Sequence, residues 1–348
     1  MYAPRGVYLG TYRGREILVA ADTGNHRVMI WHDLPTADEQ PCDVVVGQPD
    51  ESSEGPAAGG RSTRRGMNLP TGVLVHGDTL VVADAWHHRI LVYAELPSRP
   101  DVEPDLVLGQ GSLDQVQPNR GGPCQATSTY WPFGVAVVAG RFYVADTGNR
   151  RVLGWSGGIP SSPDTPPDLI LGQPDAGHRE ESRGGPAGPN SFRWPHDVAG
   201  NEQWLVVADA GDHRLLGWRG HPGEDRGADL VLGQPDFATI TESPYTPQGA
   251  GTLRFPYAVD IQGDRMVVAD TANNRILVWE SVPVPDDHGL GRPADALIGQ
   301  PDFGASGENG WTAVGPDTLC WPYGLSLHGD RLAVADSGNN RITIWSRR

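Results

Sequence analysis

Three polar residues in the second half of the sequence offer the chemistry of a ligand or metal site: His196, Asp197 and Asp260. Histidine is the side chain that titrates near neutrality, and a neighbouring carboxylate either orients its ring or is simply solvated. Imidazole nitrogen and carboxylate oxygen are also donors for a three-ligand zinc site, provided that they lie close together. Both a ligand site and a metal centre are therefore open alternatives for these residues.

Six aspartates, each followed five residues later by an arginine, form a second set of charged residues. Each pair flanks a short turn, where Asp and Asn side chains bind nearby backbone amides and Arg reaches a carboxylate in bidentate fashion. Six equivalent copies favour a role in the scaffold, and cations bound near the carboxylates are the alternative. The pairs are Asp22/Arg27, Asp84/Arg89, Asp146/Arg151, Asp209/Arg214, Asp270/Arg275 and Asp336/Arg341.

These pairs mark an internal repeat of about 60 residues, and each of the first five repeats contains four short strand-like runs. The first follows a proline (GVLV), the second ends in the aspartate (VVAD), the third ends in an aromatic residue (RILVW), and the fourth reads DLVLGQ. Four antiparallel strands repeated around a ring are typical of a β-propeller. The sequence predicts an all-β fold, a six-bladed β-propeller of four-stranded antiparallel blades, with residues 1–348 as a single domain.

The fourth strand occurs five times and the others six times, so we predict that the last blade has three strands. Its outer edge is the segment from Arg341 to Ser346. A bare edge invites pairing and flanking charges discourage it, so a protected edge and strand addition by another chain are the alternatives. The segments between blades have constant length, and we expect them to be packed elements. The tryptophans that end third strands or precede a proline, Trp131, Trp194 and Trp321 among them, are expected to pack between blades.

The first strands of a propeller line its central channel, and the residue after each proline is expected at one channel mouth. His76 and His328 fall at the opposite strand end, so the spacing does not bring three histidines together, and we assign no metal ligands and no catalytic residue. Aromatic walls with a few polar groups are typical of a binding site; a channel with ordinary polar lining is the alternative. The candidate ligand-binding residues are Arg5, Phe133, His196, Asp197, Tyr257, Asp260 and Tyr323.

The strings ADTGNHR (21–27) and ADTGNRR (145–151), with the later copies ADTANNR and ADSGNNR, resemble the NHL repeat family over nearly the whole chain. The resemblance implies a six-bladed propeller but no single function, because NHL proteins include RNA-binding and protein-binding modules and a lyase that processes amidated peptides. More distant six-bladed relatives include metal-dependent lactonases. The GQPD sequence after the fourth strand looks like that of a bacterial subgroup with longer repeats.

The formal net charge of -16 disfavours nucleic acid and anionic membrane surfaces, because both attract cationic proteins. Three cysteines indicate neither a disulfide framework nor a metal-ligand spacing. The first residues lack the apolar core of a signal peptide, and no run is apolar enough to span a bilayer. We therefore expect a cytoplasmic protein.

A non-enzymatic binding or scaffold propeller fits these observations best, with a protein or a small ligand bound on one face or at the channel mouth. The alternative is a metal-dependent lyase or lactonase-like enzyme with its site in the channel, so enzymatic activity stays undecided. We expect no cofactor, with a channel calcium or zinc ion open only under that alternative, and a monomer or a weak oligomer.

Overall fold

Short strands joined by tight turns make up nearly all of the regular structure, as the runs of β-branched and aromatic residues predict. The computed structural model describes residues 1–242 and 248–347. Within these residues the strands form six antiparallel sheets, five of four strands and one of three. The molecule is a six-bladed β-propeller whose last blade has three strands, which confirms the predicted fold class.

Each blade is a meander of strands that follow one another in the chain. The first blade contains β1 (Gly6–Tyr12), β2 (Arg15–Asp22), β3 (Arg27–Trp31) and β4 (Val44–Val46), and the second β5 (Pro70–His76), β6 (Thr79–Asp84), β7 (Arg89–Tyr93) and β8 (Leu106–Leu108). The third contains β9 (Val135–Val138), β10 (Arg141–Asp146), β11 (Arg151–Trp155) and β12 (Leu169–Leu171), and the fourth β13 (Pro195–Gly200), β14 (Trp204–Asp209), β15 (Arg214–Arg219) and β16 (Leu230–Leu232). The fifth contains β17 (Pro256–Gln262), β18 (Arg265–Asp270), β19 (Arg275–Trp279) and β20 (Ala296–Ile298), and the sixth β21 (Pro322–His328), β22 (Arg331–Asp336) and β23 (Arg341–Ser346).

The helical segments of the described residues are single turns in two kinds of place. One 3-10 turn separates the second and third strands of each blade, at Thr23–Asn25, Ala85–His87, Thr147–Asn149, Ala210–Asp212, Thr271–Asn273 and Ser337–Asn339. Further turns lie between blades, at Pro56–Gly60, Pro118–Gly121, Glu181–Gly184 and Glu308–Trp311. A helix able to cross a membrane would have to be much longer and more apolar than any of these.

The core lies between neighbouring blades, because each sheet buries both of its faces. Side chains alternate along a strand, so Val231 packs towards blade three whereas Leu230 and Leu232 pack towards blade five. The same alternation recurs around the ring, with one apolar cluster in each gap between blades. This arrangement explains why the strands read as nearly continuous apolar runs.

The predicted Asp–Arg pairs form in all six blades and hold the turn between the second and third strands. In blade three, Arg151 Nε donates to Asp146 Oδ2 at 2.8 Å, and the Tyr130 N–H donates to Asp146 Oδ1 at 2.8 Å. The remaining Arg151 nitrogens donate to three backbone carbonyls in the segments between blades. The pair therefore ties the inter-blade segments to the sheet, as a scaffold role requires.

The segment between β19 and β20 is the longest of its kind, and it covers the outer edge of blade four. The Val231 N–H donates to the Gly289 carbonyl at 2.8 Å, and the Gly291 N–H donates to the Val231 carbonyl at 3.1 Å. Leu290 thereby forms a parallel bridge with β16. The edge of blade four is thus paired by residues of the next blade.

Candidate functional site

In three of the blades, a β-bulge at the start of the first strand contains the residue at the channel mouth. In blades four, five and six, the ladder between the first two strands skips His196, Tyr257 and Tyr323 respectively. A bulge re-aims the side chain of the extra residue. In blades one and three the equivalent residues, Arg5 and Phe133, precede the strand and donate their N–H groups to the second strand.

The side chains at this mouth form a continuous arc, which we call the collar. The ring centroids of Phe133 and His196 lie 4.4 Å apart, those of His196 and Tyr257 4.4 Å, and those of Tyr257 and Tyr323 4.6 Å. The last two rings are nearly parallel, at 10°. The Arg5 guanidinium completes the arc, 4.7 Å from the centroid of the Tyr323 ring. Such contacts hold the collar together by packing and by a cation–π interaction.

His196 is a neutral, structurally engaged member of the collar. Its Nδ1–H donates to the Trp194 carbonyl at 3.0 Å, which leaves Nε2 as an acceptor. Burial, with a smaller effect of the Arg5 charge, lowers the pKa of His196 to about 3 against the opposing effect of the hydrogen bond to Trp194. The expectation that His196 titrates near neutrality is therefore wrong, because the ring is sealed between Phe133 and Tyr257.

Arg5 is the only cation of the collar, and its donors are not consumed by the protein. Its Nε is buried and has no hydrogen-bond partner in residues 1–242 and 248–347. In the same residues, no carboxylate forms an ion pair with its guanidinium, whereas the buried Arg89, Arg151, Arg214 and Arg275 each have one. The collar therefore presents a charged donor group at the channel mouth.

Two carboxyl groups line the channel below the collar and bridge neighbouring blades. Asp197 Oδ2 accepts a hydrogen bond from the Val259 N–H of blade five at 3.1 Å, and Asp260 Oδ2 accepts one from the Leu327 N–H of blade six at 2.6 Å. Burial raises the pKa of Asp197 to about 8 and that of Asp260 to about 6, against the opposing effect of these hydrogen bonds. Asp197 therefore holds a proton at neutral pH, and Asp260 is mostly ionised.

The seven candidate residues all line one cavity of about 360 Å³, which follows the first strands of the six blades. The opposite end carries His328, whose Nε2 lies 3.2 Å from Thr11 Oγ1. His76 is exposed and does not line the cavity. The described parts of the chain contain no group of three or more His, Cys, Asp or Glu side chains placed to hold a metal ion.

Sequence reasoning missed the tryptophans that extend the collar outwards. Trp131 contacts Phe133 at 5.3 Å and Trp86 contacts Trp131 at 5.4 Å between ring centroids. Trp86 is 45 % exposed and Trp321 38 %, so the expectation that the tryptophans before a proline are packed between blades is wrong for Trp321. Trp86 replaces the glycine that most other copies of its turn contain, and that departure was a signal in the sequence.

No family model and no curated protein matches this sequence. Solved structures do match it along nearly its whole length. The WD40 β-propeller domain of Doa1 is 10 % identical, with 100 % of this chain and 94 % of that chain covered and a TM-score of 0.52. The hydrazine synthase of Kuenenia stuttgartiensis is 13 % identical, with 99 % and 96 % covered and a TM-score of 0.53. A streptogramin B lyase is 8 % identical, with 99 % and 83 % covered and a TM-score of 0.46, too low to carry an argument.

These similarities concern the fold alone, since the identities are low and one fold hosts many functions. The chain is a β-propeller.

Proposed function

We propose that this β-propeller is a non-catalytic binding module of the NHL type, and that its collar binds a small planar anion at the channel mouth. The observation that carries the proposal is the Arg5 guanidinium, which is stacked on Tyr323 and has no carboxylate partner among the described residues. A guanidinium binds a carboxylate through two parallel hydrogen bonds. The neighbouring tyrosine rings offer flat apolar faces beside that charge.

The electrostatics of the channel support an anion at this mouth. His196 is neutral because its pKa is lowered to about 3, and Asp197 is protonated at neutral pH because its pKa is raised to about 8. The negative charge nearest to the collar in the channel is then that of Asp260, which hydrogen bonds already hold. Arg5 is then the one arginine among the described residues that line the channel, although the whole chain is acidic.

The alternative function, a metal-dependent lyase or lactonase-like enzyme, requires His196, Asp197 and Asp260 to converge on an ion. His196 Nδ1 is committed to Trp194, and the two carboxyl groups accept backbone N–H groups of the next blade. These contacts support a scaffold role for the three side chains. Elemental analysis of the purified protein tests the alternative, since stoichiometric zinc or calcium lost in Asp260→Ala would favour it over binding alone.

Calorimetric titration with benzoate tests the proposal. We expect saturable binding at the collar, with no binding of benzylammonium, which has the same ring and the opposite charge. Arg5→Ala should weaken benzoate binding about tenfold or more, because a hydrogen bond to a charged group contributes about 1.5–3 kcal/mol. Arg99→Ala, which removes an exposed arginine elsewhere, is the matched control.

Equal affinity of the wild-type protein and Arg5→Ala for benzoate would contradict the proposal, as would tighter binding of benzylammonium. Tyr323→Leu separates the two parts of the site. Loss of binding in this variant with an unchanged melting temperature would support stacking on the collar.

A further inference from the structure

The outer strand of blade six, β23, is an open edge, whereas in each of the other five blades the third strand pairs with a fourth strand. Every residue of the third strand is buried in blades two and three, whereas Ile344 of β23 is 37 % exposed. The neighbouring strand β20 is also more exposed than the other fourth strands. The five complete blades therefore show what a strand placed here would contact.

The aspartate that precedes each fourth strand forms hydrogen bonds with backbone groups at the end of the third strand. In blade four, the Arg219 N–H donates to Asp229 Oδ2 at 2.7 Å and the Asp229 N–H donates to the Gly217 carbonyl at 2.8 Å. The equivalent groups of blade six are the Ser346 N–H and the Ile344 carbonyl. The N–H that meets the aspartate in the five complete blades belongs to His32, Ala94, Ser156, Arg219 and Glu280.

The side-chain amide of the glutamine that follows each fourth strand donates a hydrogen bond to a backbone carbonyl just before the third strand. In blade five, Gln300 Nε2 donates to the Asn274 carbonyl at 3.0 Å. The equivalent carbonyl of blade six is that of Asn340, which precedes β23. A strand with the same Gly-Gln ending would therefore find its acceptor in place.

The buried arginine of each blade completes the pattern. In the five complete blades, its Nη1 donates to a backbone carbonyl three residues after the glutamine, at Glu51, Leu113, Ala176, Phe237 and Phe303. Arg341 Nη1 makes no such bond within residues 1–242 and 248–347, although Nε and Nη2 are bonded as in the other blades. The Arg341 side chain is 27 % exposed, against 0 % in blades two to five.

Grooves flank β23 on both faces. A mainly apolar cavity of about 270 Å³ on the blade-five side is lined by Val278, Ile298 and Trp345. A cavity of about 540 Å³ on the blade-one side combines Leu34 and Ile344 with charged side chains at its rim. In the complete blades, the middle residue of a fourth strand packs towards the preceding blade and its two neighbours towards the following one. The middle one of three apolar residues would therefore enter the apolar groove, and its two neighbours would contact Leu34 and Ile344.

We propose that β23 binds, as the fourth strand of blade six, an extended segment of another polypeptide with the pattern Asp, three apolar residues, Gly and Gln. The donors and acceptors described above define this pattern, since each has an occupied counterpart in the five complete blades. Strand addition of this kind takes its affinity from main-chain hydrogen bonds and its specificity from alternate side chains.

A second copy of the chain is a poorer occupant. Two-fold antiparallel pairing of two β23 edges would bring Arg341 of one copy towards Arg347 of the other, and like charges directly opposite are destabilising. It would also supply neither the aspartate nor the glutamine.

The probe is a peptide with the sequence of residues 229–237, DLVLGQPDF, amidated at its C-terminus and titrated onto the wild-type protein. We expect saturable 1:1 binding. The same peptide with Val231→Asp should bind at least tenfold more weakly, because its central side chain must enter the apolar groove beside Trp345. Neither result depends on the collar.

Ile344→Pro tests where the peptide binds. The counterpart of Ile344 in blade four, Gly217, faces the fourth strand with its carbonyl, and the N–H of the same residue points the same way in an antiparallel ladder. Proline removes this N–H without removing a bond to β22, and proline is tolerated on edge strands. We expect Ile344→Pro to abolish peptide binding, and Ile344→Ala, which keeps the N–H, to retain it.

Binding of DLVLGQPDF that is equal in Ile344→Pro and the wild-type protein, or no binding at all, would overturn the proposal. So would a dimer that Ile344→Pro disrupts and the peptide does not, because the edge would then belong to a second copy. Circular dichroism melting keeps the test independent of misfolding. In a second test, the peptide sequence fused behind residue 348 through a Gly-Ser linker should raise the melting temperature and exclude the free peptide.

Discussion

Asp197 and Asp260 show at the level of single residues how the backbone holds two buried carboxyl groups without counter-ions. Each carboxyl group accepts two backbone N–H groups, one from its own strand and one from the next blade. Burial outweighs these hydrogen bonds and raises both pKa values, to about 8 and about 6. The two groups therefore favour folding most when they are protonated.

Asp197→Asn is expected to flatten the pH dependence of stability. An aspartate in the unfolded chain has a pKa of about 3.9, so the folded protein binds the proton more tightly. The contribution of Asp197 to the free energy of unfolding is complete below about pH 4 and is lost as the pH rises to about 8. Chemical denaturation across this range should show the wild-type protein losing, relative to Asp197→Asn, on the order of 5 kcal/mol of its free energy of unfolding, since each unit of pKa difference corresponds to about 1.4 kcal/mol.

The comparison between these two proteins isolates Asp197. His196 has a lowered pKa of about 3, so its own contribution grows as the pH rises from about 3 to 6.5, but it is present in both proteins. Asp38→Asn, at an exposed position, is the control and should run parallel to the wild-type protein. A parallel curve for Asp197→Asn as well would show that Asp197 is ionised in the folded state.

The candidate residues could be found by aligning the repeats, but the orientation and the protonation of their side chains could not. Alignment placed Arg5, His196, Tyr257 and Tyr323 in one column, and the structure puts them in one arc. The bulges at His196, Tyr257 and Tyr323 do not change the spacing of the repeat, so the bulges cannot be found by counting residues. The neutrality of His196 follows from its burial between the tilted rings of Phe133 and Tyr257, which sequence periodicity does not encode.

At the level of the element, the turn between the second and third strands is the most uniform part of the chain. Its Asp–Arg pair is repeated in six blades, and the open edge of blade six makes one copy differ from the others. Burial raises the pKa of Asp146 even beside Arg151. Asp146 and Arg151 are both fully buried, whereas Arg341 is partly exposed beside the buried Asp336.

Arg151→Ala is expected to cost about 3–5 kcal/mol of unfolding free energy, because it leaves a buried carboxyl group without its partner. Arg341→Ala should cost less, since water reaches the vacated site through the open edge and one bond fewer is lost. Urea denaturation of both variants measures the difference. Equal losses would mean that the edge of blade six is closed in solution.

The three-stranded last blade is an element that the sequence did predict, because a missing DLVLGQ-like run can be counted. The exposure of the residues around this blade could not be predicted in the same way. Strand β20 and the grooves beside β23 are exposed because no fourth strand covers them. Arg341 Nη1 lacks its hydrogen bond because the other blades supply the accepting carbonyl from a residue that follows their fourth strand.

At the level of the whole molecule, neighbouring first strands are joined in two different ways. At Gly6, Gly72, Gly134 and Gly324, the next strand approaches so closely that a Cβ would meet a carbonyl oxygen within 3 Å. In blades four to six, side chains also join the strands: Asp197 to Val259, Asp260 to Leu327 and Ser326 to Leu9. Close backbone contact and polar side chains therefore both hold the first strands together around the channel.

Ser326→Ala tests whether the last of these side-chain links closes the ring. Ser326 Oγ accepts the Leu9 N–H at 2.9 Å and donates to the Leu9 carbonyl at 3.3 Å, so it joins blade six to blade one without any exchange of strands. Alanine leaves both backbone groups unpaired in a buried place, and we expect a loss of about 1–3 kcal/mol in the free energy of unfolding. Ser346→Ala, at an exposed position of β23, is the control. If both variants unfolded at the same denaturant concentration, apolar packing between blades six and one would be sufficient to close the propeller.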